Sequence, residues 1–206
     1  MFETNKLNIT VESFKGSKIY TMDNFFRDPE SIVNLIQTTD VPLWKQSETE
    51  NNGKFFIDKR HTFTDSSIGK IQNDLISILD TRQRMILPDQ LFTNYFRMID
   101  KSFNDYENNY WWAHKDVGYT FIVYLNDFDC SGTNLYERTD NEPEDDIPEH
   151  QDPWRNKSKY NVIKTLDAKY NRMVMFDGFK FHHGMAIDDD KFFETERMNV
   201  VSFFAY

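Results

Sequence analysis

Apolar and polar positions alternate over residues 7–14 and 18–22, a period of two that predicts two short strands near the start of the chain. The next segment changes period. Asp28-Pro29-Glu30-Ser31 opens a helix: Asp accepts from the first free amides, Pro is preformed for the first turn, and Glu suits the positive end of the helix dipole. Ile32, Leu35 and Ile36 then fall on one face. A second helix follows Thr64-Asp65-Ser66, with Ile68, Ile71, Leu75, Ile78 and Leu79 at spacings of three and four, a stripe that faces a core.

From about residue 90 the texture is that of strands. Short apolar or alternating runs occupy 91–99, 110–114, 119–125, 133–136, 162–166, 172–176, 182–187 and 197–206. Turn residues separate them: Asn126-Asp127, Ser131-Gly132, Asp177-Gly178 and the acidic run at 188–190. A mainly β fold buttressed by α-helices, a sandwich or jelly roll, is the expectation. The chain reads as one domain, 1–206, with a mixed support at 1–89 and a β core at 90–206. An acidic, proline-bearing insertion at 137–160 interrupts that core and is expected to be a surface loop or a lid over a pocket.

Composition narrows the classes. A chain of 206 residues with 19 Phe, 10 Tyr and 4 Trp can build a full core and does not read as disordered. No stretch reaches the roughly 18 apolar residues of a membrane span, and the first residues lack a signal-peptide core. The one cysteine, Cys130, cannot form an internal disulfide, which points to a reducing, cytoplasmic setting. A net charge of −10 disfavours nucleic acid as a partner. A small-molecule or protein substrate is expected instead.

Chemistry must come from few residues. The chain has five histidines. In His114-Lys115-Asp116 an imidazole and a carboxylate stand two apart, on one face of a strand, and can grip one metal ion. His150-Gln151-Asp152 repeats the spacing, but within the proline-bearing loop where nothing fixes the two side chains, so the first pair is preferred. His182 and His183 open a strand after an apolar strand and a turn, and either can supply a third ligand. Two histidines and a carboxylate leave one side of a metal open, as in non-haem iron(II) oxygenases, whereas a closed zinc site wants four protein ligands, often cysteines. Arg197 begins the most apolar strand and shares a face with Asn199, Val201 and Phe203; pointed inward, it calls for an anion.

In this order the pieces resemble the iron(II)- and 2-oxoglutarate-dependent oxygenases, in particular the prolyl-4-hydroxylase-like branch and its small bacterial and phage-type members. His114-x-Asp116 precedes a strand ending Tyr124-Leu125-Asn126; Gly132-Thr133-Asn134-Leu135 is similar to the family's Gly-Gly-x-Leu segment; a distal histidine and then Arg197 follow. Met22 to Pro29 resembles the family's approach to its first helix, so the likeness runs from about residue 22 to the C-terminus. It implies a double-stranded β-helix, a jelly-roll barrel of cupin-like form. It implies Fe(II) held by His114, Asp116 and a distal histidine, with His182 preferred on spacing from Phe176 and His183 the alternative. Arg197 would anchor the distal carboxylate of 2-oxoglutarate, Tyr124 would donate to it, and Asn199 stands where the family often has Ser or Thr. Trp111, Trp112, Tyr110 and Phe121 are candidate pocket walls, with plain core the commoner role of such aromatics. The implied reaction uses O2 and decarboxylates 2-oxoglutarate to succinate while hydroxylating a substrate. The fifteen positions from His182 to Arg197 exceed the family's usual gap. Two readings compete: a cupin-like metalloenzyme that does not use 2-oxoglutarate, and a non-catalytic jelly-roll protein.

Overall fold

The computed structural model describes residues 2–39, 44–45, 57–64, 66–79, 84–85, 90–97, 113–128, 130–140, 157–186 and 197–205. The chain opens with a hairpin of β1 (Thr10–Phe14) and β2 (Ser17–Met22). Lys15 (φ 44°) and Gly16 (φ 72°) form its tip, both with the positive φ that matches a two-residue turn to the twist of the strands. Helix α1 (Pro29–Thr38) begins as expected: the Asp28 side chain accepts from the Ser31 amide at 3.1 Å. After β3 (Trp44–Lys45) and β4 (Ile57–Thr64) comes α2 (Ser66–Ile78), which buries Ile68, Ile71 and Leu75. The remaining strands are β5 (Arg84–Met85), β6 (Gln90–Arg97), β7 (Tyr119–Tyr124), β8 (Cys130–Arg138), β9 (Tyr160–Ala168), β10 (Arg172–Asp177), β11 (His182–Met185) and β12 (Arg197–Ala205).

These form two antiparallel sheets. The larger runs β1-β2-β10-β7-β12-β6-β4-β3, with β5 beside β12, and the smaller runs β11-β8-β9. β1 to β5, from the N-terminal support, are strands of the same sheet as the core strands β6, β7, β10 and β12. The expectation missed β3, β4 and β5, and it read Ser131-Gly132 as a turn. That dipeptide lies inside β8, where the register against β9 shifts between Ser131 and Thr133. Gly132 marks this bulge because a side chain has no room: a Cβ there would sit 2.3 Å from the Leu166 carbonyl oxygen.

Side-chain alternation divides the core in two. Ile19 on β2, Ile122 and Tyr124 on β7, Val174 and Phe176 on β10 and Val201 on β12 pack with Leu135, Leu166 and Met185 of the small sheet. Their neighbours Phe121, Val123, Met173, Met175, Val200 and Phe204 face the other way, onto Ile32 and Ile36 of α1 and Ile68, Ile71 and Leu75 of α2. The central strands are apolar at consecutive positions because both of their faces are covered. Phe121 therefore lines the helix-facing layer, against Phe25 and Phe204, and does not wall the inner space. Among the described residues, no helix is long and apolar enough to cross a membrane.

One residue fastens the N-terminal segment to this frame. Asn171, at the β9–β10 turn, has a φ of 56° and is buried. Its side chain accepts from the Phe26 amide and donates to the Phe26 carbonyl, both at 2.8 Å, and its own amide donates to the Tyr124 carbonyl at 2.8 Å. Asn tolerates the left-handed conformation and supplies both bonds. Asn171→Ala is expected to cost about 2–4 kcal/mol, from a buried Phe26 amide left unsatisfied, a Phe26 carbonyl left with only the longer bond from Asn5, and a strained φ. Asn171→Gly is expected to recover only the conformational part, and urea unfolding of the two variants separates the contributions.

Candidate metal centre

The residues immediately before β7 return to the small sheet. His114 forms a two-way bridge with His183 on β11: the His114 amide donates to the His183 carbonyl at 3.0 Å, and the His183 amide donates back at 2.7 Å. Two further bonds tie the flanking turns, from the Asp116 amide to the Gly178 carbonyl and from the Phe179 amide to the Gly118 carbonyl, each 2.9 Å. The backbone thus brings together residues separated by more than sixty positions in the chain.

Their side chains converge. One ligand atom from each of His114, Asp116 and His183 lies within 4.8 Å of the other two. His183 Nε2 stands 3.0 Å from Asp116 Oδ2, and His114 Nε2 stands 3.9 Å from Asp116 Oδ1. The imidazole rings of His114 and His183 are 4.6 Å apart, and Phe176 meets His183 edge-on at 4.8 Å. Thr120, two positions before Ile122 on the inner face of β7, donates to Asp116 Oδ2 at 2.6 Å.

Hydrogen bonding fixes how His183 presents itself. Its Nδ1 lies 3.0 Å from the Phe181 carbonyl, which can only accept, so Nδ1 carries the proton. In the neutral ring the Nε2 lone pair then faces a carboxylate oxygen at 3.0 Å, a repulsion that a proton or a metal ion removes. Adjacent ligands at right angles on an ion, with bonds of roughly 2.1 Å, are themselves about 3 Å apart. The donor set and this spacing fit a divalent cation. Burial alone would push the Asp116 carboxyl up. The charge and hydrogen bond of His183, the charge of His114 and the Thr120 hydroxyl more than offset it, and hold the carboxyl well below the usual carboxylate range.

His182 takes no part in this cluster. Successive residues of β11 point to opposite sides, so with His183 turned to Asp116, His182 packs edge-on against Tyr160 at 5.3 Å. The preference for His182 as distal ligand gives way to His183 on strand parity. His150 and Asp152 lie outside the described residues, as do Tyr110, Trp111, Trp112 and most of the 137–160 insertion.

A second polar group lies on the same inner face. Asn199 of β12 is in register with Tyr124 of β7. The Arg197 guanidinium, 3% exposed, donates to the Gly132 carbonyl at 3.0 Å and lies 5.5 Å over the Tyr124 ring. The Tyr124 hydroxyl is 2.8 Å from the Thr133 hydroxyl. Asn199 Oδ1 is fully buried and has no hydrogen-bond partner among the described residues. A buried guanidinium, a phenol and an amide in one place make a setting for a carboxylate, which a guanidinium can bind with two parallel bonds. The sequence reading missed Thr120 and Thr133. Thr120 is a polar residue on an inward position of the otherwise apolar β7, and that was the available signal; Thr133 lies on the largely polar β8 and offered none.

Among solved structures, the fold is similar to that of an oxidoreductase of the 2OG-Fe(II) oxygenase family from Burkholderia pseudomallei. The TM-score is 0.51 at 10% sequence identity, over 91% of this chain and 85% of that one. No family model and no curated protein matches the chain.

Two expectations follow for metal binding, read as a thermal shift on adding Mn(II). Alanine at His114, Asp116 or His183 should abolish the shift, whereas His182→Asn should retain it; the reverse result for the two adjacent histidines would restore His182 as the ligand. Gly178→Ala should also weaken metal binding, because a Cβ there would lie 2.2 Å from Thr120 Oγ1 and 3.0 Å from Asp116 Cβ and must displace the carboxylate turn.

Proposed function

We propose that this chain is an Fe(II)- and 2-oxoglutarate-dependent dioxygenase of the prolyl-4-hydroxylase-like branch, built on a double-stranded β-helix. The observation that carries the reading is the presence, on the inner faces of one pair of sheets, of both a His114–Asp116–His183 cluster and the buried Arg197–Tyr124 pair. Two histidines and one carboxylate alone also suit zinc hydrolases. The addition of a buried anchor for a carboxylate favours iron and an oxo-diacid co-substrate.

His114, Asp116 and His183 would hold Fe(II), with the Phe181 carbonyl keeping His183 in the binding tautomer and Thr120 orienting the carboxylate. Arg197 would bind the distal carboxylate of 2-oxoglutarate, assisted by Tyr124 and Asn199. Bound iron supplies activation of O2, coupled to decarboxylation of 2-oxoglutarate to succinate. The apolar residues between the two polar groups, among them Ile122, Val174 and Val201, exclude water and limit side reactions. The substrate is a protein side chain or a small molecule that becomes hydroxylated, not a nucleic acid, and the setting is cytoplasmic.

Under anaerobic conditions, Fe(II) and 2-oxoglutarate together should give a weak visible charge-transfer band that is absent from His114→Ala. Arg197→Ala should retain metal and weaken 2-oxoglutarate binding by about 10- to 100-fold, the range for a charge-assisted pair. Metal-dependent activity unaffected by that substitution would favour a cupin-like enzyme without 2-oxoglutarate. No band from folded, metal-loaded protein would reject the dioxygenase reading.

A further inference from the structure

We propose that Phe14, the last residue of β1, is a positioning residue for the metal ligand His183: its ring holds Phe181 so that the Phe181 carbonyl stays on the His183 Nδ1 proton. The inference rests on the metal-binding reading of the His114–Asp116–His183 cluster and goes beyond it by giving the β1–β2 hairpin a part in the site.

Phe181 ends the turn between β10 and β11. Two bonds close that turn: the Lys180 amide donates to the Asp177 side chain at 2.9 Å, and the Phe181 amide donates to the Asp177 carbonyl at 3.2 Å. The register between β11 and β8 begins one residue later, at His182, so Phe181 lies outside that ladder. Its ring is 4% exposed, and the Phe14 ring meets it at 5.8 Å with a tilt of 44°. Close packing of a large ring holds its rotamer and the backbone that carries it. The Phe181 carbonyl lies 3.0 Å from His183 Nδ1. A partner of this kind orients a ligating imidazole as well as choosing its tautomer.

The hairpin gives Phe14 a firm base. β1 pairs with β2 at five positions. Two ion pairs then tie it to the small sheet: Lys15 to Glu137 at 2.9 Å, and Glu12 to Lys164 of β9 at 3.0 Å. Exposed pairs of this kind contribute little each, but both draw the end of β1 toward the same side. The Lys164 Nζ also lies 5.3 Å over the Phe14 ring. The first four residues of β1 are exposed, and only Phe14 turns onto the inner core. A large aromatic that ends an otherwise exposed edge strand is thus the hairpin's link to the turn before β11. The contacts run from the Phe14 ring to the Phe181 ring, and from the Phe181 carbonyl to the His183 imidazole.

Calorimetric titration with Mn(II), joined to NMR of the imidazole protons, tests this. Phe14→Ala should weaken Mn(II) binding about three- to tenfold, less than the roughly 10- to 100-fold for removing a ligand's own hydrogen-bond partner. Phe14→Tyr keeps the ring and should restore the affinity. Ile36→Ala, a truncation in the helix-facing layer, should lower stability to urea yet leave Mn(II) affinity within about twofold. In metal-free protein the His183 Nδ1 proton should give a downfield resonance that is absent from His183→Asn and exchanges faster with water in Phe14→Ala. The inference is overturned if Phe14→Ala binds Mn(II) as the wild type does, if Ile36→Ala weakens binding equally, or if the Nδ1 proton of Phe14→Ala exchanges at the wild-type rate. Phe14→Val also removes the ring and carries the same expectations if the alanine variant does not fold. Wild-type protein that binds no Mn(II) would instead overturn the metal reading, and the role of Phe14 with it.

Discussion

The antiparallel ladder β10-β7-β12 is covered on both faces, and each of its residues is committed to one of two layers by position alone. On one side Phe121, Val123, Met175, Val200 and Phe204 are sealed by the helices. On the other side the same strands turn Thr120, Tyr124, Asn199 and Val201 toward the small sheet. A slip of one residue in β7 or β12 would exchange that strand's layers, sending Phe121 or Phe204 inward and Tyr124 or Arg197 against the helices. The apolar packing of the outer layer thereby fixes the polar chemistry of the inner one. The constraint acts on parity and register, which many sequences satisfy.

Most of this ladder was legible in the sequence, because strands buried on both faces are continuous apolar runs bounded by turn residues. Arg172–Asp177 and Arg197–Ala205 are such runs, and Asp28-Pro29 announced α1 through its own capping chemistry. The segments that escaped are those whose strand character comes from partners. Ile57–Thr64 carries Asp58, Lys59, Arg60 and His61 in succession and has no clear alternation, yet it pairs with β6 along eight positions. The Ser131-Gly132 signal was read as a turn for a sound reason, since glycine does mark a departure from regular backbone. Here the departure is a bulge within β8, and only the opposing strand β9 distinguishes the two.

The site shows the same division between local and non-local information. His114 and Asp116 stand two apart, so their shared face could be read directly. Which of two adjacent histidines joins that pair required knowing which one turns toward Asp116. Spacing from Phe176 pointed to His182, but between them lies a turn in which the Phe181 amide donates to the Asp177 carbonyl, and counting residues across a turn does not fix which side the next strand presents. The backbone bridge between His114 and His183 decides the parity. Phe181 also supplies the carbonyl that fixes the His183 tautomer, a role that belongs to the main chain and leaves no mark on residue type.

β7 sets the distance between the two polar groups. Thr120, which holds the Asp116 carboxylate, and Tyr124, which lies under the Arg197 guanidinium, are on its inner face four residues apart, about 13 Å along an extended strand. A ligand that met both groups would have to match that separation. A single strand is a rigid gauge for such a ligand, more so than two loops would be, because its rise per residue varies little. Ile122 stands midway on the same face and keeps the interval apolar. Each polar group by itself is an ordinary feature of a folded protein; β7 holds the two at a fixed separation.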